Sequence, residues 1–100
     1  LTSTGEMTSA ETFRQTTGAA TDTANTFSQA VRLVRVKNES LTASVFVRDG
    51  AISADSPTNA EMVGVAPAAS LPTTEYYPFK TTTIHLRSAG TPTVSVTGIY

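Results

Sequence analysis

Alternation with a period of two, sustained near the end of the chain, limits what this sequence can fold into more than any other feature. Thr83-Ile84-His85-Leu86-Arg87-Ser88 sends Ile84 and Leu86 to one side and Thr83, His85 and Arg87 to the other. The stretch Thr93-Val94-Ser95-Val96-Thr97-Gly98-Ile99-Tyr100 repeats the pattern, with Val94 and Val96 opposing Thr93, Ser95 and Thr97. Successive side chains of a strand point to opposite faces, so this pattern belongs to a sheet with one buried face and one wet face. Gly90-Thr91-Pro92 separates the two segments, and together they read as a terminal antiparallel hairpin.

The chain upstream supplies more short strands and no convincing helix. In Val31-Arg32-Leu33-Val34-Arg35-Val36-Lys37, Val31 and Leu33 share one face while Val34 and Val36 lie on the other. A bulge between Leu33 and Val34 would return all four to one core; otherwise the strand is buried on both faces. Asn38-Glu39-Ser40 has turn chemistry. Beyond it Leu41, Ala43, Val45 and Val47 alternate inward and Phe46 points outward, so the two runs read as a hairpin. Asp49-Gly50 opens a loop through residue 60, and Glu61-Met62-Val63-Gly64-Val65 is a short strand ended by Pro67. Pro67 and Pro72 argue against a helix between them. The pattern predicts an all-β fold, a small antiparallel sandwich or barrel of six to seven short strands.

Residues 1–30 have another character. Their large apolar residues are Leu1, Met7, Phe13 and Phe27 alone, and Thr16-Thr17-Gly18 cuts short the turn of helix that Thr8-Ser9-Ala10-Glu11 could cap. Such a stretch has little apolar surface to offset its ordering entropy. Residues 1–25 are therefore expected to be an extended N-terminal arm, and residues 26–100 a single β domain beginning with an edge-like strand around Phe27.

Composition narrows the chemistry. The 100 residues include no cysteine, which removes disulfides, thiolate nucleophiles and Cys-based zinc sites. The net charge of −1 gives no strong field toward nucleic acid or acidic membranes. No window approaches the roughly 18 apolar residues of a membrane span, and no export signal is expected. Threonine makes up roughly a fifth of the chain, suiting the exposed face of a pleated sheet.

Individual residues add no reactive constellation. His85 is the sole histidine, on the polar face of its strand beside Arg87, without the partners that a general base or a metal requires. The carboxylates are scattered, and Asp49 and Asp55 flank a loop lacking the dense oxygen ligands of a calcium site. Asn38-Glu39-Ser40 matches a glycosylation acceptor. Arg32, Arg35, Lys37, Arg48 and Arg87 could form a basic stripe, but stacking aromatics between them are missing apart from Phe46. No catalytic, cofactor-binding or metal residue is assigned, and an enzyme is not expected. The aromatic run Tyr76-Tyr77-Pro78-Phe79 reads either as a plug over an open end of the fold or as an anchor for a partner. The interface candidates are Phe13, Phe27, Phe46, Tyr76, Tyr77 and Phe79.

From Val31-Arg32-Leu33-Val34-Arg35-Val36-Lys37-Asn38 to Val94-Ser95-Val96-Thr97-Gly98-Ile99-Tyr100, the chain resembles small virion proteins of tailed bacteriophages. In these a Thr/Ser-rich arm precedes a β domain of similar size, and a lysine–threonine approach, here Pro78-Phe79-Lys80-Thr81, leads to the last strands. The resemblance implies a non-enzymatic capsid cement or decoration subunit on the capsid surface of the virion. Its partners would be the major capsid protein and copies of itself, with no cofactor, membrane, nucleic acid or small-molecule substrate. A head–tail connector or tail component is the alternative within that class. A carbohydrate-binding or adhesin-like β module is the alternative outside it.

Overall fold

A computed structural model of the chain describes residues 10–100. Among them there is no helix, and eight strands rather than the expected six to seven follow one another: β1 (Ala10–Thr16), β2 (Thr23–Thr26), β3 (Leu33–Asn38), β4 (Val45–Arg48), β5 (Glu61–Val63), β6 (Thr73–Tyr77), β7 (Thr83–Arg87) and β8 (Thr93–Ile99). They form two four-stranded sheets, ordered β1-β8-β3-β6 and β2-β7-β4-β5. Every strand pairing within them is antiparallel. Consecutive strands lie in different sheets at every step except β4 to β5, which is the strand order of a jelly roll. No ladder joins the two sheets, so the fold does not close into the barrel that was one of the two expected forms.

Alternation within each strand builds the core. Val34, Val36, Val94 and Val96 point inward from the first sheet, and Val45, Val47, Val63, Ile84 and Leu86 from the second. All nine are fully buried in one cluster, which Phe27 and Val31 extend. Gly98 is the third inward residue of β8 after Val94 and Val96. A Cβ there would lie 2.6 Å from both Phe27 Cε1 and Val31 Cγ1. The strand can pass these side chains only as glycine.

Both expected hairpins are corrected. β7 pairs with β2 and β4, whereas β8 pairs with β1 and β3, so the two terminal strands face each other across the core. β3 and β4 likewise belong to different sheets. The inward faces are as alternation predicts, but Leu41 lies outside β4 and is exposed. No bulge interrupts β3, whose register with β8 runs unbroken from Leu33↔Ile99 to Asn38↔Val94. Val31 reaches the core from the segment before the strand, with its N–H donated to Thr81 O at 2.8 Å. The apparent slip in the pattern is thus a strand boundary.

The expected arm over residues 1–25 is also corrected from residue 10 onward; residues 1–9 lie outside the described residues. β1 forms a seven-residue ladder with β8, and β2 pairs with β7. Little apolar surface is needed because β1 is an edge strand with one large inward residue, Phe13, packed on Phe27 at 5.6 Å between ring centroids. The amides of Gln15 and Asn25 satisfy each other at 2.9 and 3.1 Å beside that contact. Thr12 bonds Thr97 across the ladder at 2.9 Å, and Thr16 bonds Thr93 at 3.0 Å. Local hydrogen bonding and pairing to a central strand do here what a hydrophobic stripe would do in a helix.

Candidate functional site

Most of the aromatic residues proposed as anchors belong to the core. Phe27 is buried, and Phe13, Tyr77 and Phe79 are half-buried against the central cluster. The Tyr77 and Phe79 rings pack on each other at 5.5 Å between centroids. That arrangement fits the plug rather than the anchor. Burial, with the nearby carboxylates of Glu75 and Glu61, pushes the Tyr77 hydroxyl up to about 12. Two candidates keep free surface: Tyr76, 56% exposed on β6, and Phe46, half-buried on the outer side of β4. They mark opposite faces of the molecule.

Tyr76 lies on the outer face of the β1-β8-β3-β6 sheet. Strand pairing sets Thr12, Thr97, Arg35 and Tyr76 in one row and Arg14, Ser95, Lys37 and Thr74 in the next. Arg14 grips Glu39 through two bonds of 2.9 Å, and this hydrogen-bonded guanidinium holds the Glu39 carboxyl below the usual carboxylate range. Arg35 Nη2 donates to Thr97 Oγ1 at 3.1 Å, while its Nε is buried without an acceptor. Among the described residues, neither Arg35 nor Lys37 has a carboxylate partner. The face is a threonine-lined plane on which Arg35 and Lys37 make no salt bridge among the described residues, though Lys37 helps lower the Glu39 carboxyl, beside an exposed tyrosine.

The outer face of the β2-β7-β4-β5 sheet is partly roofed by the loop between β4 and β5. Arg87 Nη1 donates to Ile52 O at 3.0 Å, and Asp22 Oδ1 accepts from Ile52 N at 3.0 Å. Arg87 Nε also donates to Asp55 Oδ1 at 3.0 Å, and Arg48 Nη1 to Ala51 O at 2.8 Å. Ile52, held from both sides of its peptide, is fully buried outside the central cluster. His85 does have a partner, since its Nδ1 lies 2.9 Å from Asp22 Oδ2. No hydroxyl among the described residues bonds the ring, so the pair joins this clasp rather than forming a nucleophilic triad. Its sequence separation of 63 residues left no local signal.

The remaining motifs resolve structurally. Asn38 is fully buried where the chain leaves β3, and its Nδ2 donates to Ala43 O at 2.9 Å and Gly64 O at 3.1 Å. Its amide is inaccessible for glycosylation in the folded chain. Asp55 is engaged by Arg87, so Asp49 and Asp55 do not make a calcium loop. Arg32 binds Tyr100 O, while Arg48 and Arg87 bind the loop, which dissolves the basic stripe.

Phe46 borders a groove of about 670 Å³ on this second face. Met62, its paired neighbour on β5, shares the floor, and segments 40–44, 55–56 and 88–91 form the walls. Sequence inspection pointed to Phe46, but the walls come from connections far apart in the chain. No protein-family model, no curated protein and no solved structure matches this chain.

Proposed function

We propose that the chain is a non-enzymatic structural subunit of a bacteriophage particle, a cement or decoration protein seated on the capsid. The two sheets are read as a sandwich that docks through the outer face of β1-β8-β3-β6. The observation carrying this reading is that plane itself, with Tyr76 exposed beside Arg35 and Lys37, which make no salt bridge among the described residues. Tyrosine and arginine are favoured where protein surfaces meet, and unpaired cations seek an acidic partner. The jelly-roll order recurs among viral capsid domains, a fold-level analogy that lends support without assigning a role.

The test is quantitative and begins with purified virions. A cement subunit is present in copies comparable to the capsid lattice, a connector only in the number of one ring, and an unrelated adhesin module not at all. Isolated protein added to particles lacking it should bind, with occupancy falling as salt rises. Lys37→Glu combined with Tyr76→Ala should abolish that binding while leaving the circular dichroism unchanged. Full binding by this double variant would exclude the proposed docking face.

A further inference from the structure

The geometry points to the groove beside Phe46 as a binding site for a neutral oligosaccharide. Charge decides against other ligands first. Among the described residues, Asp55 is the only ionisable side chain in the lining, and Arg87 pairs with it at 3.0 Å. Neither an anion nor a cation finds an uncompensated counter-charge there. Shape and polarity then decide for a sugar. The floor is apolar but small, made by Phe46 and the 56%-exposed Met62 side by side. Hydroxyls of Ser40, Thr42, Ser44, Ser56 and Thr91 stand around it. A sugar ring presents a C–H patch on one side and hydroxyls on its rim, and the electron-rich face of an aromatic ring attracts such C–H groups.

The polar groups around the floor are partly fixed and partly free, as recognition requires. Ser40 Oγ accepts from Thr42 N at 3.2 Å and Ala43 N at 3.0 Å, which fixes the oxygen and leaves its proton to donate. Asp55 uses Oδ1 for Arg87 and keeps Oδ2 as an acceptor. Ser88 is committed to the wall, donating to Ser44 O at 2.6 Å and accepting from Gly90 N at 3.1 Å. The two wall segments also meet at Gly90, where a Cβ would lie 2.8 Å from Ala43 Cβ. About 670 Å³ exceeds the space needed for one sugar ring, hence an oligosaccharide. The groove lies on the sheet away from the proposed docking face, and its binding does not depend on the particle.

A panel of neutral gluco-, galacto-, manno- and N-acetylglucosamine oligosaccharides, titrated to millimolar concentration, tests this by amide chemical-shift mapping. The expected result is shifts for Thr42, Ser44, Phe46, Ser56, Gly90 and Thr91 with at least one sugar, while the amides of β1 stay still. Phe46→Ala should weaken that binding by about tenfold. Ser56→Trp, an exposed change that fills the groove without touching the core, should abolish it with the remaining spectrum unchanged. No response across the panel overturns the proposal. So does binding that survives Ser56→Trp, or a preference for charged sugars over neutral ones.

Discussion

Asn38 is fully buried and bonded on both sides of its amide. Besides its two donated bonds, its Oδ1 accepts from Ser40 N at 3.0 Å, so one side chain ties the β3–β4 crossing to the end of β5. Asn38→Ala strands two carbonyls and should cost about 3 kcal/mol in urea unfolding, lowering Tm by roughly 15 °C. Gly98→Ala forces a methyl into Phe27 and Val31 and should destabilise by about 2 kcal/mol, measured in the same way. Tyr77 gives a pH signature. Its folded pKa of about 12 exceeds the ordinary value of 10, so the folded chain keeps a proton that the unfolded chain loses first. Stability is unaffected by this group below pH 10 and falls between about 10 and 12. In alkaline unfolding curves, Tyr77→Phe should lack that fall. The turn reading of Asn38 holds in its local bond from Ser40 N, whereas its burial and its bonds to carbonyls 5 and 26 residues away left no local signal.

At the scale of elements, periodicity revealed which side of a strand is buried and not which sheet the strand joins. Ile84, Leu86, Val94 and Val96 all point inward, as the alternation requires, yet from opposite sides of the core. The reason is geometric. Facing sheets lie about 10 Å apart and an extended residue advances about 3.3 Å, so a few residues cross the core as easily as they turn back. Residues 88–92 cross in this way, and residues 39–44 do the same between β3 and β4. Polar edge strands were the other gap, because β1 and β2 draw on ladder bonds and amide pairing that hydrophobicity does not register. Deleting residues 1–25 removes β1 and all of β2 except Thr26, and should abolish cooperative unfolding. In the groove, Phe46 was readable as an outward aromatic, while the Asp55–Arg87 pair needed the folded loop to appear.

At the scale of the whole molecule, two sheets give two dissimilar outer surfaces. One is a cationic, threonine-lined plane, and the other is a roofed sheet whose open corner is neutral. That polarity suits a subunit that rests on one side and offers the other to its surroundings. The strand order has a further consequence in time. Among the described strands, β8 is the last in order yet lies between β1 and β3, and it is the sole partner of β1 in that sheet. β1 therefore depends on a partner 77 or more residues away before any of its ladder can close. Among the described strands, only β4 and β5 pair with their neighbour in sequence. With its ladders dominated by pairings distant in sequence, the domain should fold slowly for its size, and its partly paired forms are where chaperones would find it.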